Sequence, residues 1–217
     1  MAKSGAITYL LRDHPHRPGP PRRLALHLRL MQRASSMSSS TTRTTRLLLR
    51  PPTLADLPQA CAIHGDPQTH RFNPSGPDSA EATSDRLHSW IAHWQQYGFG
   101  YWAIARLDAP QQIIGFGGLM RAHFGQEAGL NLYFRFTPQA WGQGFANEMA
   151  QAALQLAFGE LLAPRVTGLV RPDNLPSRRA LERLGMTLDG ELEDFPGQPP
   201  SLLYRLNAQD HRMIRSG

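Results

Sequence analysis

The chain has 217 residues, 41% hydrophobic and 18% charged, which is a globular composition rather than a disordered or fibrous one and a length for one domain with or without an appendage. A single cysteine, Cys61, excludes an internal disulfide framework and any multi-cysteine zinc site, and no apolar run approaches the roughly 18 residues of a membrane helix, so a soluble, cytoplasmic protein with no membrane partner is expected. The net charge of +6 belongs to a tail: residues 1–50 hold ten of the 23 basic residues and one of the 17 acidic ones, so they carry +9 and the rest of the chain −3. Specific nucleic-acid binding needs basic charge on a folded face and is not expected.

Residues 1–43 combine the Pro-rich run His14–Pro21 with the Ser/Thr run Ser35–Thr45, the composition of a disordered extension. Met31 and Met37 lie inside this segment, so a start site placed too far upstream explains it as well. An Arg-rich, Ser-rich, acid-poor targeting segment is the third reading. A folded domain is expected over 44–217. Leu47–Leu49 reads as a strand. Thr53 followed by Leu54, Leu57, Ala60 and Ile63 reads as a capped helix starting near Pro52. Leu87, Trp90, Ile91 and Trp94 set a second helix over 80–97, stopped by Gly98. Tyr101–Ala105, Ile113–Leu119 and Leu130–Phe136 read as strands, with a turn at Asp108–Pro110. A longer helix follows from about Gly144 to Leu161, then a strand at Val166–Val170, a helix after Asn174 closed by Gly185, and strands near Met186–Leu188 and Leu202–Leu206. The central strand–helix–strand unit is the pattern of a parallel crossover, so the class is α/β, of the α+β kind.

Chemistry concentrates in Thr137-Pro-Gln-Ala-Trp-Gly-Gln-Gly-Phe-Ala-Asn-Glu148, where a strand ends, a glycine loop follows and a helix begins. The first N–H groups of a helix have no internal partner, and the helix dipole adds positive potential beside them. Glycines let the backbone approach a ligand closely, so a pyrophosphate would fit. No Lys follows the glycines, so this is not a P-loop, and the third glycine of a dinucleotide fingerprint is missing. On these residues alone, an anion site and a plain tight turn before a helix both stand.

The loop Trp141-Gly142-Gln143-Gly144-Phe145-Ala146, followed by Glu148, resembles motif A of the GNAT acyltransferase superfamily, in the variant typical of the branch that acetylates protein N-termini, the ribosomal-protein N-acetyltransferase type. Arg46–Pro51 followed by Asp56 resembles that branch's opening strand and helix. Tyr101–Ile104 and Ile114–Leu119 resemble its central strands, and Asn174 with Ser177, ending in Leu181–Met186, resembles motif B. The resemblance spans about residues 44–207. It implies a GNAT fold: a mostly antiparallel mixed sheet, flanked by helices, whose fourth and fifth strands splay apart to admit acetyl-CoA; the nine histidines show no metal-binding spacing, so no metal is expected.

By position, the resemblance implies that Phe134, Arg135 and Phe136 offer backbone groups to the pantetheine arm. It implies that Trp141, Gly142, Gln143, Gly144, Phe145 and Ala146 form the pyrophosphate loop, and that Asn174 and Ser177 face the pantetheine and thiol end. Asn174 is equally a good helix N-cap, and Phe134 and Phe136 are equally core strand residues. Glu148 reads as a dipole-stabilising or capping residue.

The sequence departs from the family twice. Where many members carry a basic glutamate, this chain has Asn131, which cannot take a proton; Glu127, four residues earlier, is the candidate base acting through water. Where many carry a tyrosine as proton donor, this chain has Leu181, and Ser177 matches the serine that some members use. Asn131, Tyr133 and Arg135 alternate and share one strand face, which is expected to meet the substrate, with Tyr133 as a binding residue. His64, His70 and His123 read as surface residues, and Cys61 as a buried small hydrophobe. The acidic run Glu191, Glu193, Asp194 is either a solvated loop or an attractor for a cationic substrate.

The expected activity is therefore acetyl transfer from acetyl-CoA to a primary amine, on a protein N-terminus or a small molecule, by a monomer or homodimer. A catalytically weak acyl-CoA-binding module is the alternative that Asn131 and Leu181 motivate. An RNA-associated protein led by its basic tail is a third.

Overall fold

The computed structural model describes residues 41–216, so the expectations for the N-terminal extension lie outside the described residues. Eight strands form one sheet in the order β1-β2-β3-β4-β5-β6-β8-β7. They are β1 (Thr42–Arg43), β2 (Leu47–Arg50), β3 (Tyr101–Arg106), β4 (Ala109–Phe124), β5 (Glu127–Phe136), β6 (Arg165–Val170), β7 (Thr187–Leu192) and β8 (Ser201–Asn207). All neighbours pair antiparallel except β5 and β6. The expected class and architecture are thus observed, and the splay falls between β5 and β6.

Helices cover both faces. On one lie α1 (Leu57–His64), α2 (Pro67–His70) and α3 (Ala80–Tyr97). Their apolar side chains Ala60, Ile63, Leu87 and Trp90 pack with Tyr101, Ala103, Phe116 and Met120. On the other lie α4 (Phe145–Gln155) and α5 (Leu175–Arg183). Met149, Ala150, Ala153 and Leu181 pack there with Trp102, Ile104, Leu132 and Phe136. The period-2 alternation of β5 explains the division: Leu130, Leu132 and Phe136 enter the second core, and Tyr133 packs against the first.

Local signals set most boundaries. Ser79 caps α3 by accepting from the Ala82 N–H at 3.2 Å, and Gly98 ends it at φ 74°. Asp56 closes a capping box at the turn before α1. It accepts the Thr53 N–H at 2.7 Å while Arg50 donates to both its oxygens at 2.5 and 2.8 Å. Burial pushes the Asp56 carboxyl up, but the Arg50 and Thr53 hydrogen bonds outweigh it and hold it below its ordinary range.

Several expectations need correction. Ala109 and Pro110 open β4 instead of forming a turn, and β4 runs on to Phe124, past Leu119. The first helix is a 3-10 turn (Leu54–Asp56) continuing into α1. The Gly144–Leu161 helix is α4 prolonged by a π-helical turn at Leu156–Glu160. Sequence periodicity did not reveal the short helix α2 or the terminal helix α6 (Ala208–Ser216). Asp66 before Pro67 is the signal that was available for α2: Asp66 accepts the Gln68 N–H at 2.8 Å, with proline at the first helical position.

Candidate active site

The loop between β5 and α4 is held open by backbone conformation. A 3-10 turn at Pro138–Ala140 leads to Trp141, and Gly142 and Gly144 lie at φ 74° and 78°, where side chains with a Cβ are strained. A Cβ added at Gly142 would meet nothing within 4 Å, and one at Gly144 would meet only the Arg46 guanidinium at 3.5 Å. The space above both glycines is therefore open from the protein side. Glu148 N–H donates to the Gly144 carbonyl at 3.1 Å, so the N–H groups of the first turn ahead of it have no helical carbonyl behind them. Open space, orphan donors and the dipole of an 11-residue helix suit a pyrophosphate.

Side chains brace this loop from behind. The Trp141 indole N–H donates to the Phe136 carbonyl at 3.0 Å, and the Gln143 amide donates to the Gln139 carbonyl at 2.7 Å. Arg46 donates to the Gln143 carbonyl at 2.9 Å and lies 4.6 Å over the Phe145 ring. Glu148 accepts from the Arg46 guanidinium and backbone, both at 2.7 Å, and from the Thr44 hydroxyl at 2.6 Å. Its carboxyl is raised by partial burial but held below its ordinary range by those three donors. Glu148 thus ties the β1–β2 turn to α4 rather than capping its own helix. Sequence reading did not find the part Arg46 plays, because its partners lie about a hundred residues away.

Two parallel pairs, Leu130 with Val166 and Asn131 with Thr167, join β5 to β6. Beyond them the strands part, so Leu132–Phe136 bond to β4 on one edge and present the other edge to a gap. Phe134, Arg135 and Phe136 line that edge at the level of the loop. Across the gap, Asn174 accepts the Ser177 N–H at 3.2 Å and caps α5, and Leu181 is buried behind Gly168. Ser177 is half-buried in the first turn of α5.

The opposite face of β5 carries Asn131, Tyr133 and Arg135. The Asn131 amide donates to the Tyr101 hydroxyl at 2.7 Å. Burial pushes that hydroxyl far above its ordinary range, so it stays neutral. Asn131 Oδ1, Tyr133 Oη and Arg135 Nη1 are all buried and have no protein partner. Beside them lie His64 and His70, 1% and 3% exposed. Both were expected on the surface. They are buried because α1 ends under α3, where His64 stacks against Trp90 and Phe116 at 5.5 and 6.2 Å, and α2 folds back beneath it. Cys61, expected in the core, is half-buried.

Asp78 stands 3.6 Å from His64 and 2.7 Å from Arg86. Burial, with help from the charges of Arg135 and Arg86, lowers both imidazoles to about 4, against a smaller opposing effect of Asp78. Burial pushes the Asp78 carboxyl up, but His64 and Arg86 outweigh it and bring it to about 2. Ligand atoms of His64, His70 and Asp78 lie within 4.8 Å of one another. A divalent cation placed among them would meet the guanidiniums of Arg86 and Arg135, so this donor set does not suit a metal.

Glu127 lies on the same strand face as Asn131 but four residues away, about 13 Å along the strand. It accepts from Arg205 at 2.9 Å and stands 3.4 Å from Arg165. In the acidic run, Asp194 is paired to Arg171 at 3.0 Å and accepts from Ser201 at 2.7 Å, while Glu191 and Glu193 remain exposed. Among the described residues no helix is long and apolar enough to cross a membrane.

Residues 46–187 match the family model described as an acetyltransferase (GNAT) domain. The chain is 28% identical over 155 residues to a Bacillus subtilis protein named uncharacterized N-acetyltransferase YoaA, covering 70% of this chain and 85% of that one. Among solved structures it resembles an acetyltransferase from Agrobacterium tumefaciens at TM-score 0.67 and 29% identity, covering 79% of this chain and 96% of the other. It also shares the fold of Mycobacterium smegmatis RimJ in complex with CoA-disulfide, at TM-score 0.62 and 20% identity, covering 83% and 96%.

Proposed function

The chain belongs to the GNAT acetyltransferase family and is an acyltransferase, and we propose that it transfers the acetyl group of acetyl-CoA to a primary amine. One observation carries this reading: the Gly142–Ala146 loop, with open space above two positive-φ glycines, stands at the end of a strand that peels away from its parallel neighbour. The loop N–H groups would hold the pyrophosphate, and the free edge of Phe134–Phe136 would bond the pantetheine arm. Asn174 and Ser177 would bound the thiol end from α5.

Bound acetyl-CoA supplies an activated acyl carbon and a thiol leaving group. An amine of the acceptor attacks that carbon; the C–N bond forms as the C–S bond breaks, and the amine's proton leaves with the thiol or through water. Backbone N–H groups on the β5 edge would face the carbonyl oxygen. Asn131 Oδ1, buried and unbonded, would accept a hydrogen bond from the attacking amine and orient it, with Tyr133 beside it. Ser177 would offer a hydroxyl to the departing sulfur. The two arginines on Glu127 favour a structural ion pair there, so we assign the amine's proton to solvent rather than to Glu127. Thiolate is a fair leaving group, and the site works without a strong base. The acceptor is either a small amine or a protein N-terminus.

The test is calorimetric titration with acetyl-CoA, with NADH as control, followed by thiol release against an amine panel. Saturable binding of acetyl-CoA alone, with amine-dependent thiol release, is the expected result. Binding without thiol release for any amine would favour a sensing module, and no binding in a folded protein would overturn the reading.

A further inference from the structure

Among the described residues, nine buried side-chain nitrogen and oxygen atoms lack a hydrogen-bond partner, and six of them belong to His64, His70, Asn131, Tyr133 and Arg135. Buried polar atoms are almost always bonded, so a concentration of orphans marks a place where something else supplies the partners. Asn131, Tyr133 and Arg135 occupy alternate positions of β5, beginning where it leaves β6. Trp90 and Tyr101 pack on the Tyr133 ring at 6.3 and 5.0 Å, which fixes its hydroxyl without bonding it.

The charges are unbalanced. Asp78 is the carboxylate of the cluster, and Arg86 already pairs with it at 2.7 Å. Arg135 forms no ion pair among the described residues, and its buried Nη1 has no acceptor. Its charge nonetheless reaches His64 and His70, helping to keep them neutral. Two guanidiniums against one carboxylate leave a single positive charge, in a setting where uncompensated charge is costly. A monoanion satisfies it; a dianion such as a phosphate would overshoot. The segment after His70 lines a cavity of about 230 Å3, walled by Arg71 and Asn73 and by Arg171, Asp173 and Pro199; none of the orphan side chains lines it. It is smaller than the roughly 300–1,000 Å3 sites of drug-sized ligands.

We propose that Arg135 is the anchor for a carboxylate on the acyl acceptor, so that the substrate is a small amine bearing a carboxylate, an amino acid by class. This rests on the acetyltransferase reading above. The guanidinium fork takes the carboxylate and the Tyr133 hydroxyl adds a donor; Asn131 lies four residues, about 13 Å, along the strand, so an amine received there is separated from that carboxylate by several bonds. The side chains assigned to the acceptor thus lie on the opposite face of β5 from the glycine loop.

The experiment compares amino acids with their own carboxamides, at saturating acetyl-CoA, by thiol release; a polyamine and a peptide with a blocked C-terminus complete the panel. The expected result is a kcat/KM about ten- to a hundredfold higher for the acid than for its amide, carried by KM. Arg135→Gln brings that ratio to near one, and Arg135→Lys restores part of it. Tyr133→Phe, which keeps the ring, lowers it severalfold and guards against an Arg135 variant that fails to fold. Equal or better turnover of amides, polyamine or blocked peptide overturns the carboxylate anchor while leaving the acetyltransferase reading intact. A wild-type preference that survives in a folded Arg135→Gln protein overturns the role of Arg135. Failure of every amine, with no acetyl-CoA binding, removes the reading and this inference together.

Discussion

The two faces of β5 are built by different means. On the face turned to α4, the site is backbone: a glycine loop, a helix start and the unpaired edge of a strand, within residues 134–148. On the face turned to α1–α3, it is side chains gathered from His64, His70, Asp78, Arg86, Tyr101 and alternate residues of β5. In the first region the bracing side chains Trp141, Gln143, Arg46 and Glu148 are all bonded, and Asn147 Oδ1 is, among the described residues, its one buried side-chain polar atom without a partner apart from Arg135 Nη1 on the other face. The second holds six orphan polar atoms. A backbone site can recognise a ligand common to a whole family, since N–H groups do not change when side chains do. A side-chain site can be altered one residue at a time, which is what acceptor choice requires.

The largest effect expected is on the loop. Gly144→Val puts a β-branched residue at φ 78°, at a strain of about 1–3 kcal/mol, and fills the open space above the loop. Acetyl-CoA affinity should fall at least about a hundredfold by calorimetry, with the circular dichroism of a folded protein. Unchanged affinity would detach the cofactor from this face of β5 and break the comparison.

Next comes the acid sensitivity of the other face. His64 titrates near 4 when folded and near 6.5 unfolded, so between those values the unfolded chain binds a proton that the folded one refuses. Stability is then full above pH 6.5 and is lost as pH falls toward 4, by on the order of 3 kcal/mol for this group. Asp78, brought to about 2, loses its contribution below that window, as pH falls from about 4 toward 2. Urea midpoints measured from pH 7.5 to 4.5 should drop for wild type and drop less steeply for His64→Gln, the remaining slope being carried by His70, which is lowered to about 4 as well. Parallel curves would place the acid lability elsewhere.

Smaller effects separate the bracing from the ligand contacts. Glu148→Gln removes the charge that holds Arg46 and Thr44 and should cost about 1–2 kcal/mol of stability, read as a lower urea midpoint, with severalfold weaker acetyl-CoA binding. Trp141→Phe loses one hydrogen bond to Phe136, about 1 kcal/mol, and should weaken acetyl-CoA about fivefold in the same titration. Neither should alter an acid-to-amide preference; a change in that preference would mean that the two faces are coupled through β5.

The features legible in the chain alone are local ones. Hydrophobic period and end signals place α3 over 80–97 before Gly98, the β5 alternation, and the strand–loop–helix proposed as the cofactor site, because glycines and alternation act over a few residues. The resemblance joins these landmarks into the fold and the loop proposed for the cofactor. The rest follows from packing between distant segments. His64 and His70 read as surface residues because nothing within five positions of either shows that α3 will cover them. Glu127 reads as a candidate base because its arginines arrive from β6 and β8, and the brace that Arg46 makes is not legible because Glu148 lies 102 positions away. Burial and ion pairing depend on contacts between distant segments, and those are fixed only when the sheet assembles and the helices close over both its faces.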